Sequence, residues 1–412
     1  MTSSFINKSF LKTSSFTTLL LITIVLILSI FPRFWNLQKH PPMIVDEPAN
    51  LRDVDLILNN GFKITDFHWD FSKSRVVHIP TAILIKLGIE DKLLALRLSS
   101  VIISILSLIP FFLIAKELTN KVLAFSTTLL FSYSYYFLQF SRVGWTDIIL
   151  NIFLGLTLFW IIIKIKNKKG SNIKLIVLSG VLAGLIFYGY RSGIILIATA
   201  FLFLIPKKLK SKKDASLLLL TSGIFLIFFL LTSLPWIKTI SQNSNKYNLR
   251  FRAVSVNNIQ LPYHKIKNRK EIFYYQIKKS FSSWLLLNRQ SGGGIEDQRY
   301  LPQGFPIVNI FVKIVFWIGA IVGLSQFKKI YPLYIITLMG IYGQITTVDP
   351  PNGARGLIIL PCIYLLFSLG LLKIYEHLGK QRLALCAFVI LTFLFSIADF
   401  MFYKYWMEWI KV

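Results

Sequence analysis

Four short segments of the chain hold the residue types that acid–base and phosphate chemistry require. In Pro41-Pro42-Met43-Ile44-Val45-Asp46-Glu47, two adjacent carboxylates follow a proline-stiffened apolar stretch. Burial and a like-charged neighbour both raise a carboxyl's pKa, so such a pair could deprotonate an acceptor hydroxyl. A structural reading is equally open, with Asp46 as the cap and Glu47 and Pro48 in the first turn of a helix through Leu51–Asn59. In Phe140-Ser141-Arg142-Val143-Gly144-Trp145-Thr146-Asp147, an Arg and an Asp stand five residues apart between two apolar runs. There Arg142 can meet an anionic head group and Asp147 can help position it. A snorkelling Arg and a helix-starting Asp would look the same. Thr347-Val348-Asp349-Pro350-Pro351-Asn352-Gly353-Ala354-Arg355 puts a lone Arg ahead of an apolar run containing Pro361, at the depth of a lipid phosphate. Tyr188-Gly189-Tyr190-Arg191-Ser192-Gly193 adds Tyr190 and Arg191 on a tight hairpin, which reads otherwise as an aromatic belt with a turn.

Positioning these segments falls to apolar helices. Of 412 residues, 54% are hydrophobic and 15% aromatic, and the mean hydropathy is +0.61. No soluble core absorbs that much apolar surface, so most of the chain is expected in lipid. Apolar runs and their breakers predict eleven spans, near 16–35, 94–116, 122–139, 147–164, 174–190, 191–206, 215–236, 307–325, 330–346, 355–374 and 382–402. Residues 16–31 resemble a signal-peptide core but lack a small-residue cleavage site, which predicts a retained first helix. Val76–Ile89 carries His78, Pro80 and Lys86, which suits an interfacial helix better than a crossing.

The lysines assign sides. Lys116, Lys121, Lys164, Lys166, Lys168, Lys169, Lys174, Lys207, Lys208, Lys210, Lys212, Lys213, Lys328, Lys329, Lys373, Lys380 and Arg382 all fall in one alternate set of loops. The opposite short loops hold only Arg142, Arg191 and Arg355. The expectation is a multi-pass protein of the cell membrane with a cytoplasmic amino terminus and all four segments outside. Two long outer loops accompany them. Residues 36–93 form the expected catalytic loop, whose stretch 36–75 holds six of the 18 acidic residues, and 237–306 form a second, strongly basic loop. No separate soluble domain is visible, so 1–412 reads as one membrane-embedded domain. The formal charge of +28 and pI near 10.0 would suit nucleic acid, but cytoplasmic lysines and an outer surface that attracts anionic lipid account for them. No Walker motif is present, the five histidines lack metal-ligand spacing, and Cys362 and Cys386 both lie in apolar runs, so neither a disulfide frame nor a cysteine zinc site is expected.

Taken in order, these pieces resemble the polytopic C-type glycosyltransferases (GT-C). The resemblance is to the prokaryotic branch akin to dolichyl-phosphate-mannose protein mannosyltransferases and the lipid A aminoarabinose transferase. A first span precedes Asp46-Glu47; a Pro-led segment runs from Ile79-Pro80 to Leu87-Gly88-Ile89; Arg97-Leu98 opens the next span. Phe140-Ser141-Arg142 with Asp147 follows, then Tyr188 to Tyr190, then Arg250-Phe251-Arg252-Ala253-Val254-Ser255, and last Arg355 through Pro361 to Leu369-Gly370-Leu371. The similarity spans roughly residues 16 to 375, and its strength lies in the order of the pieces.

The resemblance implies an all-α GT-C fold that moves a sugar from a polyprenyl-phosphate donor to an acceptor hydroxyl or amine, with inversion. Asp46 would be the base with Glu47 beside it, and Asp147 would support the site. Arg142, Arg355 and Arg191 would hold the donor phosphate, with Asp70, Arg97 and Tyr190 in support. No organic cofactor is implied; a divalent cation, where used, would bind Asp46 and Asp147. The expected partners are the donor, membrane lipids and a lipid, glycan or protein acceptor, and no nucleic acid. The chain is shorter than many members and shows no large carboxyl-terminal domain, so acceptor recognition would rest on the loops or a second protein. From other classes, a lipid-linked-sugar flippase or transporter, or a catalytically silent GT-C partner, stays open.

Overall fold

A computed structural model describes residues 15–44, 46–167, 172–205, 212–256, 269–286, 306–347, 353–379 and 381–409. Of the segment 347–355, residues 348–352 lie outside the described residues. The described residues are largely helical, with no strand among them, only two isolated bridges, Phe67 to Ser74 and Ser255 to Thr347. In chain order the helices are α1 (Ser15–Phe34), α2 (Asp46–Asn60), α3 (Ile79–Lys86), α4 (Lys92–Leu118), α5 (Lys121–Tyr133), α6 (Tyr135–Arg142), α7 (Thr146–Asn167), α8 (Ile173–Phe187) and α9 (Gly193–Leu204). After them come α10 (Lys212–Gln242), α11 (Ser244–Val254), α12 (Arg269–Leu285), α13 (Ile310–Ser325), α14 (Phe327–Ile345), α15 (Gly353–Gly356), α16 (Ile359–His377) and α17 (Arg382–Trp409).

Each of the eleven apolar segments is helical, but six of the described helices, α1, α4, α7, α10, α16 and α17, are both long and apolar enough to cross a membrane. The run 122–139 is two helices: Ser134 leaves helical geometry at φ −50, ψ 121, and α6 starts in a new direction. Helix starts follow the side chains that satisfy free backbone N–H groups. The Asp91 carboxylate accepts from Leu94 N at 3.0 Å, Asn120 from Val122 N and Leu123 N at 3.0 Å, and Asn309 from Val312 N at 2.9 Å. Gly88 and Gly379, at φ +101 and +69, stand just past the ends of α3 and α16, where a left-handed residue turns the chain off a helix.

Helices α4, α7 and α16 are the most enclosed, and α1, α10 and α17 lie at the periphery. The outward faces carry bare apolar side chains such as Leu219, Leu383 and Ile321, the surface expected of a protein whose solvent is hydrocarbon. Inside, small residues let helices approach closely. Gly319 of α13 and Gly370 of α16 meet so tightly that a methyl on Gly319 would strike the Leu366 carbonyl oxygen, and one on Gly370 the Val315 carbonyl oxygen. Backbone cannot swing aside as a side chain can. Gly319→Val is therefore expected to cost about 1–3 kcal/mol of stability, read as a lowered thermal midpoint in detergent, whereas Gly343→Val, which meets nothing within 4 Å, leaves it in place.

Candidate active site

A cavity of roughly 270 Å³ opens where α7 and α9 begin and α14 ends. Lys116 of α4, Lys164 and Lys166 of α7, and Lys328 and Lys329 of α14 lie at the other end of these helices, where Lys164 pairs with Glu117. The cavity wall brings together Asp46, Asp70, Asp147, Tyr190, Arg191 and Arg355 from five separate parts of the chain. Asn50, His68, Lys73 and Arg250 join them.

Three expected site residues stand elsewhere. Glu47 is fully buried and grips Arg97 with both oxygens, at 2.9 Å to Nε and 2.9 Å to Nη2. It also accepts from Gly144 N at 2.9 Å and Ile44 N at 3.0 Å. Its carboxylate thus ties α2 to α4 and to the loop before α7. Neighbours on a helix point about 100° apart, so one carboxylate faces the cavity and the other the frame. Arg142, expected at the donor phosphate, is buried against the end of α1. It donates to the carbonyl oxygens of Pro32 at 2.7 Å, His40 at 2.8 Å and Trp35, and lies over the Trp35 and Tyr403 rings. Arg97 completes its set on Leu37 O at 2.9 Å. Arg97→Ala leaves Glu47 buried without its ion-pair partner, which costs about 3–5 kcal/mol; the check is loss of folded yield and thermal midpoint, with Arg52→Ala, on an exposed face of α2, as the neutral comparison.

The floor of the cavity is an ionic chain that spacing did not reveal. Lys73, buried, reaches Asp147 at 2.5 Å and Asp70 at 3.8 Å, and lies over the Tyr190 ring at 5.5 Å. Burial alone would lower its ammonium, but Asp147 and Asp70 outweigh burial and hold it above its ordinary value. Burial would likewise raise Asp70, yet Lys73 and hydrogen bonds from His68 and Ser72 hold it well below the usual carboxylate range. Both groups are therefore charged at neutral pH. The other oxygen of Asp147, Oδ1, is buried with no hydrogen-bond partner among the described residues. The segment carrying Lys73 is pinned at both sides. Ser74 N donates to Tyr188 O at 3.0 Å, its hydroxyl to Ile64 O at 2.9 Å, and Phe67 packs on Trp236 at 5.0 Å.

On the opposite wall, Arg191 donates to Tyr247 O at 2.9 Å and Asn248 Oδ1 at 3.1 Å and lies over the Tyr247 ring at 4.1 Å. This draws α11, and with it Arg250, over the cavity. Arg355, half-buried on α15, completes a cationic rim. A divalent cation bridging Asp46 and Asp147 would have to share Asp147 with the Lys73 ammonium, which holds Oδ2 and leaves Oδ1 unpaired. Chemically the cavity offers carboxylates able to accept a proton beside fixed cations able to hold an anion.

The sequence profile described as dolichyl-phosphate-mannose-protein mannosyltransferase matches residues 76–236. No curated protein matches the chain by sequence. Among solved structures, ArnT from Cupriavidus metallidurans in the apo state is similar at 12% identity and a TM-score of 0.54, over 89% of this chain and 61% of that one. The same protein bound to undecaprenyl phosphate aligns at 12% identity and a TM-score of 0.52, over 89% and 60%. The Archaeoglobus fulgidus oligosaccharyltransferase tethered to an acceptor peptide containing the NVT sequon aligns at 12% identity and 0.52, over 97% and 56%. The chain thus spans about three fifths of the length of these relatives. These likenesses, with the profile match, give the chain the fold of the GT-C glycosyltransferases.

Proposed function

We propose that the protein transfers a sugar from a polyprenyl-phosphate donor to an acceptor hydroxyl or amine at the outer face of the cell membrane. One observation carries this reading: half-buried Asp46 and buried Asp147 face one cavity with Lys73, Arg191 and Arg355, at the end of the bundle opposite Lys116, Lys164 and Lys166. A lipid-linked sugar has its tail in hydrocarbon, its phosphate at head-group depth and its sugar above, so it needs this order of apolar wall, cations and carboxylate. The matched segment and the undecaprenyl phosphate bound to ArnT support the donor class.

In the proposed reaction the acceptor oxygen or nitrogen attacks the anomeric carbon and its proton passes to Asp46. The bond from that carbon to the phosphate oxygen breaks with its electron pair leaving on the phosphate, and the configuration inverts. Lys73 and Arg355 stabilise the charge that grows on the leaving phosphate. Asp147 holds Lys73 in place, and its unpaired oxygen is open to a sugar or acceptor hydroxyl.

The test is transfer of labelled sugar by purified protein in anionic liposomes, from a panel of polyprenyl-phosphate sugars to membrane extract, with Asp46→Asn as control. Incorporation from one donor that depends on Asp46 identifies class and sugar together. Retained phosphate-lipid binding without transfer from any donor would favour a transporter or a silent partner. Within this reading Arg355→Ala weakens polyprenyl-phosphate binding about tenfold, the scale of one charged hydrogen bond, and Lys404→Ala leaves it unchanged. Equal effects would remove Arg355 from the donor site.

A further inference from the structure

Behind the cavity wall three electron-rich groups converge without a proton to share. His68 is buried, and its Nδ1 lies 2.9 Å from Asp70 Oδ1. Its Nε2 lies 3.0 Å from Asn50 Oδ1 and 3.7 Å from Asp53 Oδ2. The Asn50 amide is fixed in that sense, since Nδ2 donates to Gly144 O at 2.7 Å and Oδ1 accepts from Trp69 Nε1 at 2.9 Å. A neutral imidazole has one N–H, so one ring nitrogen must face an oxygen with a bare lone pair. The charged Asp70 is the stronger acceptor and accepts the hydrogen bond from Nδ1–H, which leaves the Nε2 lone pair facing Asn50 Oδ1 and Asp53 Oδ2.

The second observation is independent. His78 stacks on His68 at 5.1 Å, is fully buried, and has no hydrogen-bond partner on either ring nitrogen among the described residues. A buried imidazole with both nitrogens idle is costly, because each loses its water for nothing. One ligand atom from each of Asp53, His68 and His78 falls within 4.8 Å of the others. Charge runs the same way. Arg75 serves both Asp53 and Asp66 and Lys73 serves both Asp70 and Asp147, so each group of three keeps one negative charge.

We propose that Asp53, His68 and His78 bind a zinc ion that staples the first outer loop behind the cavity. Two imidazoles and one carboxylate form a ligand set suited to zinc, with a fourth position for water. The Asp70–His68 hydrogen bond supplies the carboxylate–imidazole contact that orients a metal-bound histidine. Asp53 Oδ1 is held by Arg75 at 3.0 Å and Oδ2 by Trp69 N at 2.8 Å, so its carboxylate is set before the metal arrives. The three ligands come from α2, from the excursion after it and from the turn Arg75–His78, which are the parts that carry Asp46 and Lys73. The site is separate from the Asp46 and Asp147 pair and does not depend on the transfer reaction.

Full-length protein in detergent, stripped with chelator, loaded with zinc chloride and desalted, should retain one zinc per chain by elemental analysis. Asp147→Asn should retain it too. His78→Ala should lose it, and Asp70→Asn should bind about 10–100-fold more weakly. Cobalt loaded in place of zinc should give the visible bands of a low-coordinate nitrogen and oxygen site in wild type, absent in His78→Ala. Wild type without stoichiometric zinc would overturn the proposal. Zinc retained by both His78→Ala and His68→Ala, or lost in Asp147→Asn, would overturn it equally.

Discussion

Asp46→Asn is expected to lower sugar transfer by about 10²–10⁴-fold, the usual worth of a positioned general base, while donor binding and the thermal midpoint hold. The structure gives the reason for this separation. Asp46 is half-buried at the cavity surface, where an amide of the same shape keeps its place in the first turn of α2. The folding load of that turn rests on its neighbour, since Glu47 carries the paired bonds to Arg97 and the backbone of Gly144 and Ile44. Glu47→Gln should show the reverse pattern, with folded yield and stability falling and the turnover of the surviving protein changing little. The measurement is transfer rate per folded molecule, with binding of the donor followed separately. Near wild-type turnover in Asp46→Asn would remove it as the base and shift the role to Asp147, whose Oδ1 is unpaired.

Asp46 and Glu47 also mark how far the sequence could be read. Apolar runs placed eleven helices because hydropathy is a local property, and Asp46, Asp147, Tyr190, Arg191 and Arg355 stood out because charge or aromatic rings at the end of such a run is unusual. Which way each points is a different matter. Arg142 and Glu47 sit in segments as suggestive as any, yet helix phase turns them into the frame. Nothing in spacing alone fixes that phase where helices are as short as α6. Lys73, His68 and His78 were missed because the stretch between α2 and α3 has neither period nor span. A signal was present, however: a lysine three residues after an aspartate, in a stretch rich in carboxylates. The break at Ser134 gave no hydropathy signal at all.

Lys73 supplies the second large effect. Lys73→Met should lower transfer by about 10²–10³-fold, the cost of one lost electrostatic contact to a developing anion. It should also destabilise, because Asp147 loses its 2.5 Å partner in a dry site. Stability alone therefore cannot assign the role, and a double-mutant cycle does. If Lys73 serves only to neutralise Asp147, then Asp147→Asn removes the need for it, and the double variant transfers sugar as well as Asp147→Asn does. If Lys73 meets the leaving phosphate, the double variant regains stability over Lys73→Met yet falls a further hundredfold or so below Asp147→Asn. The charge on the phosphate grows as the glycosidic bond breaks, so the loss should appear in kcat more than in the donor KM. Arg355, at the exposed rim, should divide the other way, with most of its effect on donor binding. The two cations then hold different stages of one phosphate's path, Arg355 on entry and Lys73 as the bond opens.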